Sequence, residues 1–276
     1  MTGEDLGLAH RLADIADGIS GGYFAGGVVE TETKADGSPV TRVDREVELA
    51  LRDAVARERP HEGFLGEEFG PRGPAERRWI VDALDGTASF VAGEPEWSTL
   101  IARQARGEVE MGLVSAPALD RRWYAVTGHG AWTARWSAEQ QRLAVSATPE
   151  LGAASVAIWP PVAALTAEMR RPLERLAAAA ARVLPEPGAG GGKPSAGSGT
   201  CHWALLVAVG VVDVFLLVGG GPWDLAALVP IVEEAGGRFS DLSGGRSLEG
   251  TAGVFSNGAL HDQVLEILLE HDDEEG

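Results

Sequence analysis

The stretch WIVDALDGTASF, residues 79–90, decides the fold of this 276-residue chain. Its first part, Trp79–Val81, is an apolar run typical of a buried strand, and Asp85-Gly86 is a turn signal. Asp82 ends that strand, so its carboxylate and that of Asp85 are predicted to emerge together at the strand's carboxyl end. Clustered carboxylates repel unless a cation neutralises them, and Mg²⁺ is the natural hard cation for oxygen ligands. The alternative for this cluster alone is that its acids cap a turn.

Further acids lie on both sides of this stretch in the sequence. Glu67 and Glu68 precede it, and Asp224 lies in the first turn of a helix predicted over 222–236. The chain carries 23 basic and 41 acidic side chains, a net charge of −18, which repels nucleic-acid phosphates and anionic lipid headgroups. We therefore expect neither nucleic acid nor membrane as a partner. A small anionic substrate needs a bound cation to attract it.

Cysteine usage and apolar patterning favour a cytoplasmic protein. Cys201 is the only cysteine, which excludes an internal disulfide and agrees with a reducing compartment. Residues 1–18 carry acids where an export signal needs basic residues. The most apolar run, 204–218, contains Asp213 and is shorter than the ~20 residues of a membrane span, so it predicts buried core. Cys201-His202 is interpreted as core or pocket wall rather than as a nucleophile.

Helical and strand patterns follow one another in an order that predicts an α+β or layered αβα architecture. The first helix is expected from Leu6 to Ile19, with Gly21-Gly22 as its stop, and the second from a capped start at Thr41–Asp44 to Pro60. The low-complexity segment 185–199 is predicted to be a flexible loop. Strands are predicted at 63–65, 78–81, 98–102, 109–114 and 123–126, turns at 70–73 and 128–130, a helix over 168–183 and a helix-to-strand transition within 205–218.

Three strings, in this order, resemble the signature motifs of the inositol monophosphatase family: Gly66-Glu67-Glu68, residues 79–90, and residues 223–227 with 234–237. Lys34–Thr41 with Asp44 resembles the family's amino-terminal motif. Residues 115–118 with 121–123, and 256–258 with 261–262, are similar to the actinobacterial histidinol-phosphate phosphatase branch. The resemblance covers nearly the whole chain except about 149–199.

The resemblance implies an α/β (α+β) fold, the layered αβαβα sandwich of the inositol monophosphatase and fructose-bisphosphatase type. It implies one catalytic domain over 1–276 made of two halves, 1–145 and 146–270, with the metal cleft between them. It also implies a homodimer.

The same resemblance implies a set of Mg²⁺ ligands, for two or three ions per site: Glu67, Asp82, the backbone carbonyl of Leu84, Asp85 and Asp224. The chemistry implied is in-line attack of a metal-activated water on a phosphate monoester, without a covalent intermediate.

Residues beside the metal ligands are implied to handle water and phosphate. Glu67 helps to orient the attacking water, Thr87 with Asp44 as its hydrogen-bond partner positions or deprotonates it, and the Gly86 and Thr87 amides cradle the phosphate. The alternatives are a turn hydroxyl for Thr87 and a helix cap for Asp44. Lys34 either contacts the water network of the site or is a surface lysine.

The chain departs from the family pattern at positions that concern the substrate. Ala83 stands where proline is usual, which is expected to loosen the loop without removing a ligand. The substrate wall is assigned to Thr200 and Leu217, and Leu217 stands where many relatives place a glutamate. Histidinol carries an ammonium and an imidazole that favour acidic partners, so this loss argues against a simple carry-over of substrate.

The function expected from the sequence is therefore Mg²⁺-dependent hydrolysis of a phosphate monoester of a small hydroxylated metabolite, with an altered substrate pocket. The alternatives are an authentic histidinol-phosphate phosphatase, a nucleotide or sugar (bis)phosphate phosphatase, and a catalytically silent metal- or phosphate-binding homologue. A bisphosphate would need a basic second site, for which Arg170, Arg171 and Lys193 are the candidates.

Overall fold

The structure, a computed structural model, describes residues 3–27, 30–34, 39–136, 139–184, 201–250 and 252–270. The helices are α1 (Gly3–Gly26), α2 (Arg42–Glu58), α3 (Thr87–Val91), α4 (Ala167–Ala179), α5 (His202–Ala208), α6 (Pro222–Ala226), α7 (Leu228–Glu234) and α8 (His261–Leu269). The strands are β1 (Thr31–Thr33), β2 (Pro39–Thr41), β3 (Gly63–Gly66), β4 (Gly70–Arg72), β5 (Arg77–Asp85), β6 (Ser98–Ala105), β7 (Glu108–Ala116), β8 (Arg121–Val126), β9 (Ala131–Ala134), β10 (Gln141–Arg142), β11 (Ser155–Trp159), β12 (Arg182–Leu184), β13 (Val214–Val218), β14 (Arg238–Ser240) and β15 (Ala252–Ser256).

These strands form two large sheets and one small hairpin. The first sheet has the order β10-β9-β8-β7-β6-β5-β3-β4 and is antiparallel except for the β3–β5 pair. The second has the order β12-β11-β13-β15-β14, with β11 parallel to both neighbours. β1 and β2 pair separately.

Helices cover the sheets in alternate layers. α1 and α2 pack on one face of the eight-stranded sheet through a core that includes Leu8, Leu12, Val47 and Trp79. α5, α6 and α7 lie between the two sheets, where a second core joins residues from both. α4 and α8 cover the far face of the five-stranded sheet. This order of layers confirms the predicted αβαβα sandwich, and each apolar face is buried against another layer.

The first helix does not end at Gly21-Gly22 as predicted, because α1 continues to Gly26. A glycine inside a helix costs only about 1 kcal/mol. The extra turn places Phe24 against Phe90 and Trp97, with ring centroids 5.5 and 5.3 Å away. These tertiary contacts outweigh the local preference of the glycines.

Other sequence predictions hold with shifted boundaries. The second helix begins at Arg42 behind the Thr41 cap, as predicted. The turn expected at 70–73 is wrong in part, because Gly70–Arg72 forms β4 against β3. The helix expected over 168–183 stops at Ala179 and is followed by β12. The helix expected over 222–236 is divided at Ala227 into α6 and α7.

The flexible loop predicted over 185–199 lies outside the described residues. Among the residues that are described, no helix has the length and hydrophobicity that crossing a membrane requires.

Candidate metal centre and active site

Three carboxylates from distant parts of the chain meet in one place. An oxygen from each of Asp82, Asp85 and Asp224 lies within 4.8 Å of an oxygen of the other two. Asp82 and Asp85 end β5, where the pairing with β6 shifts register, and Asp224 is in the first turn of α6. The two β5 acids are 2 % and 8 % exposed. Thus the end of one strand and the start of one helix build an acidic pocket.

Hydrogen bonds from the main chain hold each of these carboxylates. Asp82 Oδ1 accepts from the Leu84 amide at 2.9 Å, and Asp85 Oδ2 accepts from the Cys201 amide at 2.8 Å. Asp224 Oδ2 accepts from the Gly221 amide at 2.6 Å. Such bonds orient the oxygens but neutralise no charge.

The charges in this pocket are therefore unfavourable without a cation. Burial, with the nearby negative charges of Glu67, Asp85 and Asp224, raises the pKa of Asp82 well above its usual range. Burial also raises the pKa of Asp85 to about 7 and that of Asp224 to about 6, although hydrogen bonds oppose the shift in both. The raised pKa values express the cost of several buried negative charges.

Glu67 lies at the edge of this cluster and is paired with a lysine. Lys34 Nζ lies 2.6 Å from Glu67 Oε1 and 2.5 Å from Glu68 Oε1. Burial opposes the charge of Lys34, but the hydrogen bonds to both glutamates raise its pKa. Burial and, to a smaller extent, Asp224 raise the pKa of Glu67 to about 7, against the effect of Lys34. Of the two predictions for Lys34, contact with the site is therefore the one that the geometry supports.

Glu48 is a supporting residue that sequence reasoning missed. It is fully buried on α2, and its carboxylate accepts hydrogen bonds from the amides of Glu68 (2.7 Å) and Phe69 (3.1 Å). A Cβ on Gly66 would lie 2.1 Å from a Glu48 oxygen. Gly66 therefore has to lack a side chain if Glu48 is to hold the turn that carries Glu67.

Thr87 and Asp44 form the hydrogen-bonded pair expected from the sequence. Thr87 Oγ1 lies 2.9 Å from Asp44 Oδ1 and 3.0 Å from the Leu84 carbonyl oxygen. Asp44 Oδ2 accepts from the amide (2.8 Å) and the hydroxyl (2.6 Å) of Thr41. Asp44 is thus at the same time part of the capping box of α2 and the partner of Thr87. The two interpretations of Asp44 hold together.

The loop between Asp82 and Thr87 is held by its neighbours although it has no proline. The Ala83 carbonyl accepts from Thr99 Oγ1 at 2.9 Å. Gly86 has φ +85° and caps α3, so it turns the chain from β5 into the helix that Thr87 begins. That Ala83 loosens this loop without removing a ligand stays a prediction.

Cys201 and His202 lie directly beside the acidic pocket. The thiol of Cys201 is hydrogen-bonded to Asp85 and to Ser98, and Ser98 Oγ lies 3.5 Å from His202 Nε2. Burial, followed by the charge of Asp85, raises the pKa of the thiol well above its usual range, and burial lowers the pKa of His202 to about 4. Both residues are pocket wall, as expected, and they add a sulfur and a nitrogen to the polar groups there.

Leu217 stands on the side of the pocket formed by β13. A Cβ on Gly220 would lie 2.8 Å from Leu217 Cδ2 and 3.2 Å from Asp224 Oδ2, which places these two atoms within 6.0 Å of each other. Leu217 is half-buried. The other residue assigned to the substrate wall, Thr200, lies outside the described residues.

Two strings that resemble the histidinol-phosphate phosphatase branch serve the fold. Ser115 Oγ lies 2.9 Å from Asp17, and Arg122 contacts both of them, which ties α1 to β7 and β8. In the other string, His261 Nδ1 and Nε2 each lie 2.9 Å from a serine hydroxyl, of Ser256 and Ser240 respectively.

The basic residues suggested for a second phosphate gain no support. Arg170 donates to the carbonyls of Leu165 (2.8 Å) and Ala163 (3.3 Å), so its guanidinium fastens a turn. Arg171 is in α4, on the outer face of the five-stranded sheet. Lys193 lies outside the described residues.

Comparison with known proteins agrees with the fold. The model of the inositol monophosphatase family matches residues 5–273. The histidinol-phosphatase of Mycobacterium tuberculosis is 40% identical over 266 residues, 96% of this chain and 98% of that protein, and the histidinol-phosphatase of Streptomyces coelicolor is 38% identical over 273 residues, 95% and 96%. The solved structure of the Thermotoga maritima IMPase is 30% identical, with a TM-score of 0.76 and 96% of each chain covered.

This chain belongs to the inositol monophosphatase family. It is a metal-dependent phosphatase, a phosphoric monoester hydrolase that acts on small phosphorylated substrates.

Proposed function

We propose that this phosphatase uses two or three Mg²⁺ ions to hydrolyse the phosphate monoester of a small hydroxylated metabolite. The observation that carries the proposal is the convergence of Asp82, Asp85 and Asp224, whose oxygens lie within 4.8 Å of one another in a buried pocket. The ligands that we assign are Glu67, Asp82, the carbonyl oxygen of Leu84, Asp85 and Asp224.

These residues fit a hard divalent cation. All the assigned donors are oxygens, the atoms that Mg²⁺ prefers. The raised pKa values of Asp82, Asp85 and Asp224 mean that the metal-free pocket holds more negative charge than its hydrogen bonds balance. When bound, Mg²⁺ supplies positive charge for the phosphoryl oxygens and the leaving group and activates the attacking water.

The chain's own residues position the water and the phosphate. Asp44 Oδ1 holds the hydroxyl hydrogen of Thr87, which leaves lone pairs of Thr87 Oγ1 free to accept a hydrogen bond from the attacking water. Glu67, which lies beside the acidic cluster, orients the same water. The amides of Gly86 and Thr87 open α3 and have no intrahelical acceptor there, so they are our candidates for holding the phosphate.

The side of the pocket next to Asp224 favours a substrate without a strong cationic group there. Leu217 offers only carbon atoms within 6.0 Å of Asp224 Oδ2. A glutamate at this position would give an ammonium or imidazolium a partner, and leucine gives none. The second candidate substrate is histidinol phosphate, which the names of the relatives at 40% and 38% identity favour.

The first experiment measures phosphate release from histidinol, inositol, sugar and nucleotide monophosphates, with Mg²⁺ and with chelator. We expect Mg²⁺-dependent release from one class, and release at background from Asp85→Asn, which keeps the size of the side chain. A circular-dichroism spectrum checks that this variant folds. Wild-type rates in Asp85→Asn would contradict the metal assignment, and silence of the wild-type protein on every substrate would favour a binding protein that has lost turnover.

Leu217→Glu tests the substrate wall separately. If the leucine excludes a cationic substrate, this variant gains activity on histidinol phosphate relative to inositol phosphate. Leu217→Gln is the matched control, because it is polar and of similar size but uncharged. An unchanged ratio of kcat/KM for the two substrates would contradict the role assigned to Leu217.

The division into halves over 1–145 and 146–270, the homodimer and the cytoplasmic location remain predictions. That neither nucleic acid nor a membrane is a partner stays a prediction from the net charge of −18.

A further inference from the structure

A second set of potential metal ligands touches the acidic pocket. A carboxylate oxygen of Asp85, the sulfur of Cys201 and a ring nitrogen of His202 lie within 4.8 Å of one another. Asp85 ends β5, and the other two residues begin α5. Cys201 is 4 % exposed.

These three atoms differ in kind from the all-oxygen set. Sulfur, imidazole nitrogen and carboxylate oxygen form a borderline-soft donor set of the type that Zn²⁺ uses, whereas Mg²⁺ takes oxygen ligands. Around a tetrahedral zinc ion with bonds of about 2.0–2.3 Å, ligand atoms are separated by roughly 3.3–3.8 Å. The three atoms, within 4.8 Å of one another, are therefore at most about 1.0–1.5 Å farther apart than this geometry requires.

Ser98 contacts two of these three side chains. It is fully buried, lies opposite Asp85 in the pairing of β5 with β6, and contacts both the thiol of Cys201 and the ring of His202. Hydrogen-bonding partners of this kind orient the ligands of metal sites. The four side chains thus form one buried polar cluster.

We propose that Asp85, Cys201 and His202 form a binding site for Zn²⁺, with a solvent or substrate oxygen as the fourth ligand. On binding, a zinc–sulfur bond forms, the S–H bond of Cys201 breaks and its proton leaves to solvent, with no change in oxidation state. Because Asp85 belongs to both donor sets, Zn²⁺ bound here competes with Mg²⁺ for that carboxylate. Zinc at this site is therefore an inhibitor; this effect on turnover, unlike the binding itself, rests on the proposed function.

Binding is tested with Co²⁺ as a coloured substitute for Zn²⁺. The full-length protein is stripped of metal, supplied with excess Mg²⁺ and then titrated with Co²⁺. The thiolate-to-cobalt charge-transfer absorption is recorded at each step. We expect one equivalent to produce this band and Zn²⁺ to abolish it. The sequence has a single cysteine, so any such band comes from Cys201.

Two substitutions separate coordination from simple hydrogen bonding. Cys201→Ala keeps the main-chain amide that donates to Asp85, and Cys201→Ser keeps a hydrogen-bonding side chain as well; both should lose the band. Loss of an outer partner alone lowers metal affinity roughly 10- to 100-fold, so His202→Ala should weaken Co²⁺ binding by at least about 10-fold. His129→Ala, at an exposed histidine, is the matched control and should bind as the wild type does.

The inhibition arm measures phosphate release at increasing Zn²⁺ and two Mg²⁺ concentrations. Zn²⁺ should inhibit less at higher Mg²⁺, and Cys201→Ser should need at least about 10-fold more Zn²⁺ for the same fractional inhibition. Bound Co²⁺ without a charge-transfer band would overturn the proposal and leave the thiol as a hydrogen-bond donor to Asp85. A band in a protein without phosphatase activity would support the zinc site while contradicting the proposed function.

Discussion

Gly66 has no side chain because the carboxylate of Glu48 occupies the space where one would be. The buried carboxylate of Glu48 accepts hydrogen bonds from the amides of Glu68 and Phe69. These bonds fix the turn that carries Glu67. Burial raises the pKa of Glu48, against the effect of these two amides. Burying this carboxylate therefore costs free energy, and its hydrogen bonds stabilise the turn. In the Gly66-Glu67-Glu68 motif, Gly66 therefore meets a packing requirement, whereas Glu67 is the assigned ligand.

Gly66→Ala should disturb this turn. A methyl group forced against Glu48 is expected to lower the free energy of unfolding by about 1–3 kcal/mol. Displacement of Glu67 should lower Mg²⁺-dependent kcat/KM by at least about 10-fold, because small misplacements are costly in catalysis. Urea unfolding and phosphate-release kinetics measure the two effects. Gly22→Ala is the control, since its added Cβ meets nothing within 4 Å; equal activity in both variants would contradict the prediction.

Thr87→Val removes the hydroxyl and keeps the shape of the side chain. We expect kcat to fall by roughly 100-fold or more, the range for loss of a positioned proton-transfer group, while Mg²⁺ affinity stays near that of the wild type. Thr87→Ser keeps the hydroxyl and should retain most of kcat. Steady-state kinetics and calorimetric Mg²⁺ titration test this, and equal kcat values for the valine and serine variants would assign Thr87 to the turn alone.

The acids that form the pocket could be predicted, but the supporting contacts made by Lys34 and Glu48 were not predicted. Asp82 and Asp85 follow directly from an apolar strand and a turn signal, and Asp224 followed from motif order. Nothing in the spacing places Lys34 on Glu67, because the contact joins residues that are 33 positions apart in the chain. Glu48 did leave a signal, since it follows Asp44 by one helical turn and adjoins Val47 in the apolar stripe of α2.

Helix α2 connects local helix chemistry with the site. Its cap, Thr41, holds the Val43 amide at 3.1 Å and Asp44 Oδ2 at 2.6 Å, so the residue that starts the helix also fixes the partner of Thr87. The capping pattern was readable from sequence because it is local. The end of α1 was not, because contacts made by Phe24 with distant residues override the Gly21-Gly22 signal.

Thr41→Ala should affect both stability and turnover. Loss of the cap is expected to lower the free energy of unfolding by about 0.5–2 kcal/mol, and the freed Asp44 should lower kcat. Thr41→Ser keeps the hydroxyl and should change stability by only a few tenths of a kcal/mol. Thermal unfolding and kinetics on the same samples test both effects. If stability falls while kcat stays at the wild-type value, Asp44 holds Thr87 without the hydrogen bonds from Thr41. That result would contradict the predicted effect on turnover.

In the molecule as a whole, repulsion between buried carboxylates is concentrated at one place. Two of the clustered acids come from the end of β5 in the eight-stranded sheet, and Asp224 comes from a helix in the layer between the sheets. A net charge of −18 adds to the local repulsion. The layered packing therefore forces together groups that repel each other, and the free energy of unfolding should depend on whatever neutralises them.

In chelator, the protein should become more stable as the pH falls from 8 to 6.5. Glu67 and Asp85 have pKa values of about 7 in the fold, against about 4 in an unfolded chain. Their protonation favours the folded state, so this contribution is complete below pH about 4 and is lost as the pH rises through 7. We expect a gain of about 1–2 kcal/mol over this window, measured by urea unfolding.

The predicted gain in stability applies only down to pH 6.5, because below this pH the buried histidines make the protein less stable as the pH falls. His202 and His261 have pKa values lowered to about 4, chiefly by burial, so their stabilising effect is lost as the pH falls below about 6.5. Saturating Mg²⁺ should flatten the profile between pH 6.5 and 8. Asp85→Asn in chelator should flatten it in part, and a slope unchanged by both would assign the pH dependence to groups outside the pocket.

Asp85 and Asp224 are 139 positions apart in the chain, yet their carboxylates share one pocket. A cation held by both is a cross-link: it closes a long loop in the same topological sense as a disulfide, which a chain with one cysteine cannot form within itself. Unlike a disulfide, this cross-link is set by mass action. The protein's resistance to proteolysis should therefore follow the free cation concentration around it, so that scarcity of the cation limits its lifetime as well as its activity.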